Sequence, residues 1–335
     1  MNKAHIQSIL DRFSKGRILV VGDIMLDEYL EGSVERISPE APIPVINLAH
    51  NGRCDVRLGG AANVFNNLFT LGGRDIYLCG VVGDDDNGRI VRRMIDATGA
   101  DTSGIIVDPS RPTTVKTRII AHNQQVIRLD RETCEPLTAS VRSAVMKCIK
   151  QKLDVLDAVI FSDYEKGVIT RELLADVIPE TAGKNVITAV DPKFSNFRHF
   201  KNVTVIVPNK KEASGYFRHE IISDNDVLMA GRYMLERLGC ECVLMKLGER
   251  GLRFLDAAGK DVSIQTAAEQ VYDVTGAGDT VISVLVLAKT AGATWVEAAR
   301  IANIAAGIVI HYVGTSPVDI SQLKRALFEN RFPKP

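Results

Sequence analysis

The segment VYDVTGAGDT occupies residues 271–280, and the apolar run VISVLVL follows it directly. The apolar run predicts a buried helix that begins near the glycines. Gly276 and Gly278, with Ala277 between them, let backbone N–H groups approach a phosphoryl group at the helix N-terminus, where the helix dipole favours anions. Asp279 would then lie in the first helical turn and accept the proton of an attacking hydroxyl.

Asp279 also has a less specific interpretation, in which it caps a helix at the end of an ordinary glycine-rich loop. The sequence leaves the ionisation of its carboxyl group open. A helix N-terminus favours the charged form, whereas dehydration in a closed site favours the neutral form. The segment therefore predicts a phosphate-binding turn with a candidate general base.

Short apolar runs of strand length alternate with helical segments along the chain. This alternation predicts βαβ units and a mostly parallel central sheet flanked by helices, which is the α/β class. Ligands bind at the carboxyl ends of the strands in such sheets, so we expect the polar residues that follow these runs to line one site. The runs lie at 18–21, 76–82, 158–161, 186–190, 203–207 and 243–247.

Two segments break the alternation, at about 32–57 and 112–130. The first contains prolines among alternating apolar residues, and the second contains two β-like runs. We predict that both form antiparallel strands of a small sheet that covers the site as a lid. Because the chain shows no repeat, low-complexity tract or flexible linker, residues 1–335 are expected to form a single domain with this lid.

The pattern Asp-x-x-Gly-Ala-Gly-Asp at residues 273–279, followed by a helix of small residues, resembles the signature of the ribokinase-like (PfkB) carbohydrate kinases. Gly59, Gly60 and Asn63 lie in a second match, to the N-terminal sugar-binding glycine motif of that family. The resemblance implies a ribokinase-like fold, ATP as phosphoryl donor, and the last aspartate of the pattern as catalytic base. It also implies that Asp27 binds sugar hydroxyls.

The same resemblance implies residues that bind ATP and Mg²⁺. Asn209 and Glu212 match an Asn-x-x-Glu motif that organises magnesium and phosphate, largely through water, although the pair would equally suit an ordinary helix start. Potassium is a further candidate cofactor that the sequence leaves open. The positions that the resemblance assigns to the nucleotide are Asn209, Lys246, Gly248, Gly251, Asp273, Gly276, Gly278 and Asn303.

Missing motifs argue against two other classes of nucleotide-binding enzyme. No Gly-x-x-x-x-Gly-Lys-Ser/Thr string occurs, so the chain is not a P-loop enzyme. The first strand is followed by Gly22 and Asp23 without a GxGxxG turn, which argues against a dinucleotide-binding dehydrogenase. Asp23 is expected to be a turn or helix-cap residue. A non-catalytic sugar-binding protein on the same fold stays the alternative, and the intact Asp279 argues against it.

The stretches at 36–45, 123–130, 162–167 and 271–280 look like the D-glycero-D-manno-heptose 7-phosphate kinases, and the similarity runs over about residues 16–318. The similarity implies phosphorylation of the sugar at O1, in the synthesis of nucleotide-heptose precursors of the lipopolysaccharide core. The anomer is left open, and another sugar or sugar phosphate is the alternative substrate. A phosphorylated substrate needs nearby cations, for which Arg128, Lys166 and Lys193 are candidates, each also compatible with a solvated surface position.

Composition limits the partners of the protein. Lys+Arg and Asp+Glu both number 41, so no bulk charge indicates nucleic acid or an anionic membrane surface as partner. No export signal or membrane-spanning run is recognisable, so we expect a cytoplasmic protein. By analogy with the family, segment 39–48 is a candidate homodimer contact. Residues 319–335 leave no room for a further domain, so a separate phosphatase and nucleotidyltransferase are expected to complete the pathway.

Overall fold

The computed structural model describes residues 2–48, 54–122, 124–267, 272–329 and 332, which form two β-sheets and the helices that surround them. In chain order the strands are β1 (Arg17–Gly22), β2 (Ile24–Ile37), β3 (Pro44–Leu48), β4 (Cys54–Gly60), β5 (Asp75–Val82), β6 (Ile105–Val107), β7 (Thr114–Ala121), β8 (Gln124–Arg131), β9 (Ala158–Ser162), β10 (Ile187–Asp191), β11 (Val205–Ile206), β12 (Cys242–Lys246), β13 (Leu252–Asp256) and β14 (Asp261–Ile264). The α-helices are α1 (Lys3–Leu10), α2 (Ala61–Thr70), α3 (Asp86–Asp96), α4 (Ala139–Lys152), α5 (Arg171–Gly183), α6 (Lys210–Phe217), α7 (Asp224–Leu238), α8 (Ala277–Thr290), α9 (Trp295–Val309) and α10 (Ile320–Glu329).

The larger sheet has nine strands in the spatial order β14-β13-β12-β11-β10-β9-β1-β5-β6. Its neighbouring strands are parallel, except that β13 is antiparallel to both of its neighbours. The six predicted apolar runs lie in β1, β5 and β9 to β12, which confirms the mostly parallel α/β sheet. The run at 203–207 forms only the two-residue strand β11, and the antiparallel edge has no counterpart in the sequence prediction.

Helices cover both faces of this sheet. Strand β1 is buried in every residue after Arg17, as expected when a parallel sheet is covered on both sides. One face packs against α1, α2, α3, α8, α9 and α10, and the other packs against α4, α5, α6 and α7. Every residue of α8 from Asp279 to Ala288 is buried, in agreement with its almost unbroken apolar sequence. Within the described ranges, no helix is long and apolar enough to cross a membrane.

The smaller sheet contains the strands from the two segments that break the alternation. Strand β2 pairs antiparallel with β4 and β3 along successive parts of one edge and parallel with β7 along the other, and β7 pairs antiparallel with β8. This sheet differs from the predicted one because it begins at Ile24, directly after β1, and contains one parallel pair. Residues 49–53, Asn123 and Val271, which belong to the predicted segments and motifs, lie outside the described residues.

The junction of β1 and β9 leaves no room for a side chain at Gly22. An ideal Cβ there would lie 2.0 Å from the carbonyl oxygen of Ser162 on the neighbouring strand. Because backbone would have to move, we predict that Gly22→Ala lowers the free energy of unfolding by about 3 kcal/mol. Urea unfolding measures this change, and an unchanged midpoint would contradict the close approach.

Gly183→Ala is the matched control for this substitution. Gly183 is the last residue of α5, and nothing lies within 4 Å of its Cβ position. The same chemical change should therefore be neutral there or stabilise the protein by up to about 1 kcal/mol.

Candidate active site

Helix α8 begins at a glycine turn. Gly276 precedes the helix with φ +81°, in the left-handed region that favours glycine. Its surroundings are tight, since an ideal Cβ there would lie 3.2 Å from Asn63 Nδ2 and 3.3 Å from Thr315. Asp279 is the third residue of α8 and only 3% exposed. Asp279 is therefore not the helix cap, and its carboxylate makes its contacts elsewhere.

The carboxylate of Asp279 accepts hydrogen bonds from two distant parts of the chain. Asn63 Nδ2 donates to Oδ2 at 2.8 Å, and the Tyr164 hydroxyl donates to Oδ1 at 2.7 Å. Burial raises the pKa of Asp279 to about 6, the charge of Asp191 also raises it, and the two hydrogen bonds and Lys246 oppose the rise. Burial is thus the largest of these influences on the pKa of Asp279.

Two lysines approach the start of α8, and each is paired with a carboxylate. Lys246, at the end of β12, donates to Asp191 Oδ1 at 2.7 Å, and its Nζ lies 3.2 Å from an ideal Cβ on Gly278. Lys193 donates to Glu212 Oε1 at 2.6 Å. Burial acts to lower the pKa of Lys193, but Asp191 and Glu212 raise it above its usual value. Both lysines therefore lie in ion pairs beside the glycine turn.

Asn209 and Glu212 form the capping box of α6. The Asn209 side chain accepts from the Glu212 N–H at 2.9 Å, and Glu212 Oε2 accepts from the Asn209 N–H at 2.7 Å. A β-bridge also joins Asn209 to Lys246. The pair is therefore a helix start, as the less specific interpretation expected, and it lies beside Lys246 at the strand ends.

Asp27, expected after the first strand, lies inside β2 of the smaller sheet. Its buried carboxylate forms an ion pair with Arg118 of β7, and burial raises the pKa of Asp27 whereas Arg118 lowers it. Gly59 lies opposite, because an ideal Cβ there would be 2.5 Å from Asp27 Oδ2. Gly60, with φ +55°, then carries the chain into α2 and Asn63. The glycines thus allow backbone to approach the Asp27 carboxylate closely.

Arg128 and Lys166 belong to one set of ion pairs, which we term the β7–β8 charge network. Arg128 donates to Asp130 at 2.8 Å. Lys116 donates to Asp130 at 3.0 Å and to Glu132 at 3.1 Å, and Lys166 donates to Glu132 at 2.7 Å. The network therefore holds three cations against two carboxylates.

The three predicted phosphate-binding cations lie in two places. Arg128 and Lys166 are in the β7–β8 charge network, which adjoins Asp27 because Lys116 is its partner in the β2/β7 register. Lys193 instead lies close enough to Asp279 for that carboxylate to influence its pKa. The sequence had grouped all three at the sugar end.

Four predicted nucleotide residues make contacts within the protein. Asp273 accepts three hydrogen bonds, two of them from Thr275, and so fixes the approach to the glycine turn. Asn303 is buried in α9 and donates to a backbone carbonyl at 2.8 Å. Gly248 and Gly251 both have positive φ in the turn that follows β12. None of these contacts tests whether the four residues bind a nucleotide, so that role stays a prediction.

Asp23, expected as a turn or helix-cap residue, caps no helix. It is the single residue between β1 and β2 and is 1% exposed. Its carboxylate accepts the backbone N–H groups of Tyr164, Lys166 and Val168 at 2.8, 3.1 and 3.1 Å. Burial raises the pKa of Asp23, and these three bonds oppose the rise. Asp23 thus anchors the loop between β9 and α5.

The chain matches a family model described as "pfkB family carbohydrate kinase" over residues 15–321. The chain belongs to the pfkB family of carbohydrate kinases. It is therefore an ATP-dependent carbohydrate kinase, and the family that the sequence motifs indicated is confirmed.

Curated relatives named "Bifunctional protein HldE" extend the similarity. The relative from Desulfatibacillum aliphaticivorans is 44% identical over 317 residues, which cover 94% of this chain and 64% of the relative. The relative from Syntrophotalea carbinolica is 38% identical over 327 residues, which cover 98% of this chain and 66% of the relative. The kinase chain thus spans just under two thirds of the length of these relatives.

Solved structures show the fold. Phosphofructokinase-2 from Escherichia coli, in complex with substrates and products, matches with a TM-score of 0.77 at 15% identity, over 94% of this chain and 99% of that chain. Ribokinase from Arabidopsis thaliana, complexed with ribose and ATP, matches with a TM-score of 0.74 at 20% identity, over 93% and 99%. The pfkB kinase therefore has the predicted ribokinase-like α/β fold.

Mg²⁺ usually accompanies ATP in such kinases, and the residues at this site fit a hydrated ion. Among the side chains that the structure describes, no group of three or more His, Cys, Asp or Glu could hold a metal. Both oxygens of Glu212 are engaged, one by Lys193 and the other by the Asn209 N–H. Because Mg²⁺ keeps several waters and binds substrate phosphates, Asn209 and Glu212 would hold it through water.

Sequence reasoning missed three side chains of this kinase site: Tyr164, Arg118 and Lys116. The strand-end rule indicated the location of Asp191, the last residue of β10, without its role, and Tyr164 lies two residues after the end of β9. The two cations alternate along β7 and share the face of Asp27. Their spacing of two residues could be read from the sequence. The parallel β2/β7 register, which places them beside Asp27, could not.

The buried Asp279 carboxyl group should lower the stability of the ligand-free kinase. Because its pKa is raised to about 6 in the folded state, folding becomes less favourable as the pH rises from about 4 to about 6. We predict that Asp279→Asn is more stable than the parent at pH 7 by up to about 3 kcal/mol. An asparagine can accept from Asn63 and donate to the Tyr164 oxygen, so both contacts survive.

Urea unfolding at pH 4 and pH 7 measures this difference, which should largely disappear at the lower pH. Asp157→Asn is the control of opposite sign, because Arg17 lowers the pKa of Asp157 and its carboxylate therefore stabilises the fold at neutral pH. A pH-independent gain for Asp279→Asn would show that burial does not raise the pKa of Asp279.

Proposed function

We propose that this kinase transfers the γ-phosphoryl group of ATP to the anomeric O1 of D-glycero-D-manno-heptose 7-phosphate, with Asp279 as general base, and forms heptose 1,7-bisphosphate. The observation that carries the proposal is the buried Asp279 carboxylate, fixed by two hydrogen bonds at the start of α8 and with a pKa of about 6. A base with this pKa is ionised at neutral pH and still basic enough to accept a hydroxyl proton in the transition state.

The N-terminus of α8 supplies the donors that phosphoryl transfer requires. Gly276 and Gly278 bring backbone N–H groups to the positive end of the helix dipole, and Lys246 lies beside them. The N–H of Ala277, between them, donates to the carbonyl oxygen of Val274 at 3.2 Å and so holds the turn in shape. As O1 attacks the γ-phosphorus in line, Asp279 takes the O1 proton, and ADP leaves with the electron pair of the broken P–O bond. Bound Mg²⁺ would neutralise charge on the phosphate oxygens.

We assign ATP to the carboxyl ends of β11 and β12 and the adjoining turns. The bridge between Asn209 and Lys246 supports a common phosphate-facing edge there, with Asn209 and Glu212 holding Mg²⁺ through water. A monovalent cation such as potassium is a further candidate cofactor. The assigned nucleotide residues are Asn209, Lys246, Gly248, Gly251, Asp273, Gly276, Gly278 and Asn303.

The sugar is assigned to the region between Asp27 and Asp279. Asp27 offers acceptor oxygens for hydroxyl groups, and Gly59 and Gly60 leave backbone close to it without a side chain between them. Asn63 donates to Asp279 from the helix that follows these glycines. The sugar-binding glycine motif and the proposed base are therefore in direct contact, which supports a single sugar and phosphoryl-transfer site.

The β7–β8 charge network supports a substrate that already carries a phosphate. Its three cations face two carboxylates, so it has one positive charge in excess next to Asp27. We assign Arg128 and Lys166 to the 7-phosphate, since Arg binds phosphate oxygens in a fork and Lys supplies a point charge. Lys193 lies with the Asp279 cluster and is assigned to the transferred phosphoryl group, a change from the sugar-end expectation.

Two alternatives have different consequences. A different sugar or sugar phosphate would keep the chemistry of Asp279 and change the contacts at the charge network. A non-catalytic binder would keep the pocket without turnover. If the heptose assignment holds, a phosphatase activity and a nucleotidyltransferase activity would act on the product in turn.

The substrate proposal is tested with ATP, Mg²⁺ and a panel of heptose 7-phosphate, fructose 6-phosphate and ribose, in sodium and in potassium buffer. We expect selective ADP release with heptose 7-phosphate and a new anomeric signal in the phosphorus NMR spectrum. Ribose lacks a phosphate and is the control for the charge network. Selective turnover of another sugar would discard the heptose assignment, and no turnover with any of them would favour the non-catalytic binder.

The assignment of the base is tested with Asp279→Asn. This variant should bind ATP normally in calorimetry and lose kcat by a factor of about 100 to 10,000, because general-base catalysis is removed while the fold is retained. Wild-type kcat in the variant would overturn the role of Asp279.

We also propose a homodimer formed through the smaller sheet. This sheet exposes apolar side chains on several strands and their connections, and exposed apolar area on one element favours an interaction surface there. Its exposed large apolar residues include Ile37, Ile43, Leu48, Val126, Ile127 and Leu129.

Sedimentation at micromolar concentration tests the dimer. We expect wild type to sediment as a dimer and the double variant Ile37→Lys/Leu129→Lys to sediment as a monomer, because buried unpaired charges oppose association. Val155→Lys is the control, since Val155 is an exposed apolar residue away from this sheet. A monomeric wild type would overturn the proposal.

A further inference from the structure

The loop between β9 and α5 winds around the carboxylate of Asp23. Oδ2 accepts the N–H groups of Tyr164 and Lys166, and Oδ1 accepts the N–H of Val168. The Asp23 side chain is 1% exposed. All three partners donate, as an ionised carboxylate requires. An asparagine could not replace it without turning its own N–H groups toward at least one of these donors.

This loop has a backbone conformation that needs an external anchor. Glu165 has φ +59°, which is rare for a residue with a side chain, and Gly167 has φ +91°. An ideal Cβ on Gly167 would lie 2.1 Å from the carbonyl oxygen of Glu135. The three bonds to Asp23 span these two residues and offset the strain of the turn.

The first anchored residue of the loop is Tyr164, whose hydroxyl donates to Asp279 at 2.7 Å. Lys193 Nζ lies 5.2 Å from the centre of the Tyr164 ring, on the side of the phosphoryl-transfer cluster. The backbone N–H that donates to Asp23 and the hydroxyl that donates to Asp279 belong to the same residue. A single residue, Tyr164, therefore links Asp23 to the carboxylate of Asp279.

We propose that Asp23 is a positioning residue for phosphoryl transfer, which fixes the loop so that Tyr164 orients the Asp279 carboxylate and stabilises its ionised form. The inference rests on the proposed role of Asp279 as general base. It assigns the polar residue at the end of β1 to the alignment of the base, whereas the sugar contacts belong to Asp27.

The charged groups around Asp279 set the background for a pH test. Asp191 and Lys246 face it from the ends of β10 and β12, and Lys193 faces it from the turn after β10. Asp163 titrates in the same range, because burial and the nearby Asp23 raise its pKa to about 7. Asp163→Asn removes this second titration and keeps the Asp23 anchor, so it serves as control.

The test is a double-mutant cycle read from the pH dependence of kcat/KM, which reports the essential base of the free enzyme. Wild type and Asp163→Asn should lose activity below about pH 6. Tyr164→Phe and Asp23→Asn should each move this acid limb upward by about one pH unit, because the carboxylate loses a charge-assisted hydrogen bond. At pH 5 the kcat/KM of each variant would then be about tenfold below the wild-type value, and above pH 8 it would approach the wild-type value.

The double variant Asp23→Asn/Tyr164→Phe distinguishes positioning from a structural role. If Asp23 acts through Tyr164, the double variant has the acid limb of Tyr164→Phe alone. If Asp23→Asn lowers kcat/KM by the same factor in both backgrounds at every pH, or if Tyr164→Phe leaves the limb in place, the proposal is wrong. Should Asp23→Asn not fold, Asp23→Ser leaves room for a water to meet the three N–H groups and carries the same cycle.

The proposed base can fail separately from this inference. An active Asp279→Asn variant, or a wild-type profile without an acid limb near pH 6, would overturn the base. An intact wild-type limb together with an additive cycle would overturn the role of Asp23 alone.

Discussion

The hydrogen bonds to the Asp279 carboxylate are the contacts on which the rest of the site depends. They join the start of α8 to α2 and to the loop after β9, elements separated by 216 and 115 residues in the sequence. Each donor comes from an element with its own anchor, since Asn63 follows the Gly59–Gly60 turn and Tyr164 belongs to the loop held by Asp23. The carboxylate is thus buried with both oxygens occupied, and the folded sheet, rather than the glycine turn alone, gives it one orientation.

The cations of the site are held in place by carboxylates. Lys246 pairs with Asp191 and Lys193 with Glu212, while Asp27 pairs with Arg118. Buried ion pairs add little net stability, because desolvation offsets much of the attraction. They do keep cations ordered where an isolated buried lysine would lose its proton. In the proposed reaction, the phosphate oxygens of ATP would replace the carboxylates as partners of Lys246 and Lys193, so these lysines would need little rearrangement as phosphate charge develops.

The sequence could predict the elements of this fold better than their neighbours in space. Runs such as Ile18 to Val21 are local signals, and the strand-end rule followed from their order along the chain. The role of Asp23 was not predictable, because its partners lie 141 to 145 residues away and are backbone N–H groups, which leave no trace in residue identity. Arg118 and Lys116 were missed for a related reason. The ion pair of Arg118 with Asp27 and the position of Lys116 beside Asp27 depend on a parallel register between β2 and β7 that no local pattern encodes.

The raised pKa of Asp279 links the fold to the proposed chemistry. A carboxylate in water has a pKa near 4 and is a weak base, whereas one that is buried without donors would stay protonated at neutral pH. Burial alone would raise the pKa of Asp279 toward that of a group protonated at neutral pH, and the hydrogen bonds from Asn63 and Tyr164 lower it again. The outcome, about 6, is close to the highest pKa at which the group is still mostly ionised at pH 7. The two donors therefore offset part of the rise that burial causes in the pKa of Asp279. The basicity of the proposed base thus depends on α8, on α2 and on the loop after β9 together.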